Sequence, residues 1–318
     1  MTAIGVTTAQ EPVQGTRRPA IDVARGLALV AMAAYHGSWD ATYFGLAHFD
    51  LLNDPLWLAA RTAILSSFLL LAGIGLVLAT RDGFDRDRFL RRLGRVAAGA
   101  ALVSAASYAL FPSSPIFFGV LHHIAVASVI GLAFVRLPAV LTLAVAGAAV
   151  LAGTTQTVPL FDSPWLRWIG LTTVPPDSND FVPLLPWIGG VLAGIGLGRL
   201  WPGLGAGVAV TGSAGRVLAL AGRHSLAVYL LHQPLLFGIV WATVQLMPGE
   251  PAAVRDFKAA CVASCESAGV SSATCTANCG CVQSELVRTG MWEGIVANRL
   301  GERERSGLAA AATACQKP

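Results

Sequence analysis

Residues 57–79 read WLAARTAILSSFLLLAGIGLVLA, an apolar run broken by a single charge, Arg61. A helix that crosses a bilayer needs about 20 mostly apolar residues, with a range of roughly 17 to 25. This run is long enough. Working outward from it, six more stretches meet the same test: roughly 20–38, 93–111, 115–135, 138–154, 182–198 and 224–246. Pro112 with Pro115, Leu137-Pro138, and Pro183 with Pro186 fall near their ends, where helices stop or start. The pattern predicts an all-α integral membrane protein of about seven transmembrane helices.

Composition points the same way. Of 318 residues, 54% are hydrophobic and 13% charged, against about 25% charged in a typical soluble domain. The net charge is only +4, and no basic patch suited to nucleic acid is visible. Lys258 and Lys317 are the only lysines beside 20 arginines, and alanine and glycine are abundant, a bias that suggests a GC-rich bacterial genome. Residues 1–16 lack the basic region and apolar core of a cleavable signal, so 1–19 reads as a cytoplasmic tail and the first span as its own anchor.

Orientation follows from basic residues in short loops. With the N-terminus inside, the inner segments hold Arg17, Arg18, six arginines from Arg81 to Arg95, Arg136, Arg199, Arg216 and Arg223. The outer segments 37–56, 112–114 and 155–181 hold only Arg167. Residues 200–215, LWPGLGAGVAVTGSAG, read as a loop or re-entrant piece. An odd span count then sends the C-terminus outside; were 200–215 a span, the tail would be cytosolic. The expected division is 1–19, a transmembrane domain over 20–247, and a tail over 248–318, in a bacterial inner (plasma) membrane with the tail periplasmic.

All six cysteines lie in that polar tail. Cys261, Cys265, Cys275 and Cys279 spell C-x3-C-x9-C-x3-C, and a spacing of four puts each pair on one helix face. Two short antiparallel helices joined near Gly269 would match Cys261 with Cys279 and Cys265 with Cys275, leaving Cys281 and Cys315 for a third bridge. Six cysteines allow 15 pairings, so spacing alone does not fix the connectivity. An even count in an oxidising compartment favours disulfides; an all-cysteine zinc site is the rival reading. The tail reads as a stapled helical cap on the outer face.

Polar side chains inside the apolar runs are the chemical candidates, because ionisable groups at membrane depth are costly and face a bundle interior or water. Asp22 and Arg25 lie one turn apart at the inner end of the first run. They read either as an interfacial ion pair or as a guanidinium placed for an anionic ligand. His36 and Asp40 share a face at the other end, Ile21 to His36 rising about 24 Å as helix. Arg61, the pair His122/His123, Tyr229 and His232 add further polar groups, each of which reads also as a satisfied packing residue. Arg61 could pair with Asp40, Asp50 or Asp54. Close glycines, Gly73 with Gly75 and Gly189 through Gly198, read as helix packing surfaces.

Five stretches in series, IDVARGLALVAMAAYHGSWD, FLLLAGIGLVLA, FFGVLHHIAVA, PLLPWIGGVLAGIGLGR and GRHSLAVYLLHQP, together resemble the heparan-α-glucosaminide N-acetyltransferase catalytic family, in its bacterial form. The resemblance covers about Arg18 to Leu246 and leaves out the cysteine tail. It implies a multi-span enzyme that takes acetyl-CoA from the cytoplasmic side and acetylates an acceptor on the opposite face. In the family's lysosomal members the catalytic histidine follows the first core span, preceded by an asparagine at the helix end, a pattern from which YHGSWDATYFGLAHFDLL departs. Here His36 holds the helix-end position and His48 the later one; more distant membrane acyltransferases place a histidine at the end of the first helix, which favours His36.

The expected activity is therefore transfer of an acetyl or other acyl group to an amine or hydroxyl of a glycan or small-molecule acceptor. His36, Asp40 and His48 are the catalytic candidates. Arg25, Arg92, Arg223 and His232 are the candidates for binding acetyl-CoA. No metal is expected, membrane lipids surround the chain, and a homo-oligomer is compatible with the sequence. The alternative is a proton-coupled transporter or flippase that uses the buried His/Arg/Asp set; a further reading makes the chain a non-catalytic membrane partner that recruits proteins through its tail.

Overall fold

A computed structural model describes residues 18–47, 49–246, 252–296 and 301–316. Among these residues the regular structure is helical throughout. They form two compact units, one made of residues up to Tyr35 with Leu52–Pro234, the other of His36–Leu51 with residues from Leu235 onward.

Each apolar run expected to span contains a helix: α1 Pro19–Tyr43, α2 Pro55–Thr80, α3 Arg86–Leu110, α4 Val120–Gly131, α5 Ala139–Thr155 and α6 Leu184–Leu200. After α6 the chain turns, forms α7, Gly212–Arg223, and enters α8, Ser225–Leu246. By length and composition α2, α3 and α8 suffice to cross a membrane, while α4, α5 and α6 are shorter apolar helices. The run 115–135 is helical only over Val120–Gly131, because turns occupy both flanks. Conversely α1 continues past residue 38, so His36 and Asp40 lie within the helix and not in a loop.

Local chemistry sets the helix starts. Asp54 accepts the Leu56 amide at 2.7 Å with Pro55 at the first helical position of α2, and Asp85 accepts the Arg88 amide at 2.9 Å to start α3. The core of the first unit joins Leu69 and Leu76 of α2, Ala127 of α4, Ala146 of α5 and Leu192 with Ile195 of α6. No side chain separates α2 from α6 at their closest point. A Cβ on Gly73 would lie 2.1 Å from Val191 O, and one on Gly194 would lie 2.1 Å from Leu70 O. Small residues thus let the two backbones touch, the packing expected of the glycine-rich runs.

The stretch 200–215, expected to be a loop or re-entrant piece, splits in two. Residues 201–211 are turn and irregular chain, and helix begins at Gly212. Arg18 is buried and donates to the carbonyls of Leu204 and Pro202, holding that turn against the start of α1. The amphipathic α7 buries Ala219 and Gly222. A Cβ at Gly222 would meet Asp22 O at 1.8 Å, so α7 and α1 also approach backbone to backbone.

The second unit contains α9 Ala252–Ser267, α10 Ser272–Arg288, α11 Trp292–Val296 and α12 Glu302–Cys315. Gly269, with φ of 84°, makes the turn between α9 and α10. Disulfides join Cys261–Cys279 and Cys265–Cys275, the pairs that the four-residue spacing presents across antiparallel helices, and Cys281–Cys315, the pair left over. Val282, Leu286 and Ala311 form a small core with Cys315, covered by Phe257, Trp292 and Leu308.

Candidate functional site

Two groups of polar side chains gather in the first unit. At one, α1 supplies Asp22 and Arg25, bonded at 3.2 Å, and Arg25 Nη2 also reaches Leu71 O at 3.5 Å. Arg92 of α3 converges on the same place. A Cβ at Gly75 of α2 would stand 2.7 Å from Arg25 Nη2 and 3.9 Å from Arg92 Nη2. The missing side chain at Gly75 therefore leaves room where two guanidiniums meet, with Asp22 bonded to one of them. Two cations held together on three helices favour an anion beside them, and planar guanidiniums suit phosphate oxygens.

The other group forms where α4 begins. Asp180, in the loop before α6, accepts the Val120 amide on Oδ2 at 3.0 Å. A Cβ at Gly119 would come within 2.3 Å of that oxygen, so the approach needs glycine. The loop is knit to the α4 entry by Asn179 N to Ser114 O at 3.1 Å and Val182 N to Phe118 O at 3.0 Å. Burial raises the Asp180 pKa, opposed by the Val120 amide and by the charge of Arg61. Tyr229 of α8 lies within electrostatic reach of the same carboxylate.

The adjacent histidines have different duties. His122 receives the Gly119 N–H on Nδ1 at 3.2 Å, which assigns the proton to Nε2. That nitrogen meets Ser104 Oγ at 3.2 Å, and Ser104 donates onward to Ile116 O at 2.6 Å. Both ring nitrogens of His122 are occupied, so it fastens α4 to α3. His123 is fully buried and pairs through Nδ1 with Pro183 O at 3.1 Å; a carbonyl only accepts, so Nδ1 carries the proton. Its Nε2 lone pair is buried without a hydrogen-bond partner among the described residues.

His232, one turn after Tyr229, donates from Nδ1 to Tyr229 O at 2.6 Å, with the two rings 5.7 Å apart. Arg223 ends α7 in an exposed position, and among the described residues no hydrogen bond or ion pair joins it to Arg25 or Arg92.

In the second unit, His36 is half-buried and Asp40 fully buried, one turn apart on α1. Aromatic rings surround this end of the helix: Trp39 stacks on Tyr43 at 5.1 Å, and Phe44 meets Phe237 of α8 at 4.9 Å. Arg255 of the cysteine tail donates to Gly45 O at 2.8 Å, tying α9 to the turn after α1. His48 lies outside the described residues.

The family model described as heparan-alpha-glucosaminide N-acetyltransferase, catalytic, matches residues 17–234. The chain belongs to that family. No curated protein and no solved structure matches the chain. Membership in the heparan-alpha-glucosaminide N-acetyltransferase family makes this a membrane protein of the acetyl-transfer class. The matched region takes in both polar groups of the first unit and the His36/Asp40 turn, and ends before the cysteine tail.

Asp180, Ser104 and Gly119 escaped the reading of the sequence. Asp180 sits in a polar loop, PPDSND, beside Asp177, and only the fold distinguishes the carboxylate that caps a helix from its neighbour.

Proposed function

We propose that the protein transfers an acetyl group from acetyl-CoA on the cytoplasmic side of a bacterial inner membrane to an amine or hydroxyl of a glycan or related acceptor on the periplasmic side. The observation that carries this reading is the convergence of Arg25 and Arg92 at Gly75, a cradle suited to the phosphates of a CoA substrate. His232, whose Nδ1 is held by the Tyr229 carbonyl on α8, is the further candidate for binding the donor. The orientation rests on the excess of arginine in alternate loops, which with seven spans puts the tail on the periplasmic side.

Acetyl-CoA, as donor substrate, supplies the thioester. The acceptor nitrogen or oxygen forms the new bond to the acetyl carbonyl carbon, the carbon–sulfur bond breaks, and the sulfur leaves as thiolate. His36 takes the proton lost by the acceptor and Asp40 stabilises the imidazolium, His36 passing the proton on to solvent or thiolate. General-base removal of this kind contributes about 10² to 10⁴-fold. His48 is the other histidine that the family pattern brings to this step.

The test is acetyl transfer by purified full-length protein in proteoliposomes. His36→Ala is expected to lower kcat by about 10² to 10⁴-fold while membrane yield and thermal midpoint stay those of the parent. An active His36→Ala together with an inactive His48→Ala would transfer the base to His48; full activity in both would overturn histidine base catalysis at this end of α1.

A further inference from the structure

The C-terminal ends of α2 and α6 and the turn after α4 border an open cavity of about 660 Å³. Arg81, Arg136 and Arg199 line it, together with apolar side chains that include Val77, Leu132 and Val135, and among the described residues no acidic side chain is part of the wall. Neither Arg25 nor Arg92 contributes.

Local structure uses only part of this charge. Arg199 donates from Nη1 to Val135 O, and Arg81 from Nη1 to Pro202 O at 3.2 Å, which also suits cations to helix C-termini. Each guanidinium carries five N–H donors. Arg199 Nε is buried and has no hydrogen-bond partner among the described residues, and Arg136 is exposed. A buried donor left unmade is destabilising until an acceptor is supplied. Three like charges around one cavity also repel unless an anion lies among them. Phosphate offers several acceptor oxygens to such forks, and the apolar wall offers nothing to a bare ion but much to a chain of methylenes.

We infer that this cavity binds a phosphate-bearing amphiphile, its phosphate held by Arg81, Arg136 and Arg199 and its apolar part lying along Val77, Leu132 and Val135. Basic pockets between membrane helices at the interface take anionic headgroups by the same chemistry. An anionic phospholipid and a soluble organic phosphate both present that group, and they are separated by experiment.

The full chain is purified in detergent supplemented with phosphatidylglycerol, and retained lipid is counted by native mass spectrometry; in parallel, binding of 3′,5′-ADP is measured by calorimetry. Arg81→Gln/Arg136→Gln is compared with the parent, with Arg216→Gln, an exposed arginine outside the cavity, as control. The double variant is expected to retain roughly tenfold less phosphatidylglycerol with unchanged 3′,5′-ADP affinity. A tenfold loss confined to 3′,5′-ADP supports the phosphate site and assigns it to a soluble ligand. The proposal is overturned if both quantities stay within about twofold of the parent at an unchanged thermal midpoint. Should the double variant not fold, Arg136→Gln alone, whose side chain is exposed, gives the same reading with a smaller change.

Discussion

Asp180 Oδ2 accepts the Val120 amide at 3.0 Å, so a loop residue supplies the cap of the helix that carries His122 and His123. Because burial raises the Asp180 pKa above its ordinary 3.8, the folded protein holds that proton more tightly than the unfolded chain. The sign follows from proton linkage: stability is greatest below the unfolded value and is lost as pH rises through the raised one. Asp180→Asn keeps an acceptor for the Val120 amide and removes the charge. Thermal midpoints measured from about pH 3.5 upward should fall more steeply for the parent than for Asp180→Asn; parallel curves would show that Asp180 does not titrate differently on folding.

Arg92→Gln should raise KM for acetyl-CoA about tenfold, a loss of roughly 1.4 kcal/mol in binding, with kcat little altered. Arg25→Gln is the poorer probe, since it also strips the buried Asp22 of its partner. Steady-state kinetics with acetyl-CoA varied at saturating acceptor decides the matter. A change confined to kcat would remove Arg92 from phosphate binding.

Asp40→Asn preserves shape but withdraws the charge that steadies a protonated His36. It is expected to lower kcat by less than His36→Ala does, and to shift the pH–rate profile so that the base titrates lower. An unshifted profile would leave Asp40 a purely structural residue at that turn.

The three disulfides close chains of different length, with separations of 10 residues for Cys265–Cys275, 18 for Cys261–Cys279 and 34 for Cys281–Cys315. Loop-closure entropy then gives about 3 kcal/mol to the shortest and about 4 kcal/mol to the longest. Cys281→Ser/Cys315→Ser should therefore loosen the tail more than Cys265→Ser/Cys275→Ser. Hydrogen exchange across Leu308–Cys315 reads the difference, and equal protection in the two variants would contradict it.

How much was legible in the sequence varied with the kind of interaction that decides each feature. Runs such as α2 carry their signal in composition, and the cysteine spacing presents the observed pairs once two helices are placed antiparallel. α7 did not stand out because it opens on Gly212, Ser213 and Gly215, poor helix formers, and owes its position to contact with α1 at Gly222. The meeting of Arg25 with Arg92 is similarly tertiary: three helices and the empty side of Gly75 create it, and no spacing along one helix encodes that. Arg223, which looks equivalent in sequence, stays exposed at the end of α7.

The contact at Gly73 and Gly194 also bears on how such a protein can move. Where Gly73 and Gly194 bring the two backbones together no side chain can rotate out of the way, so parting α2 from α6 there gives up close dispersion contact directly. The same glycine contact recurs where α7 meets α1 at Gly222, so a larger side chain at Gly73, Gly194 or Gly222 would have to push two backbones apart.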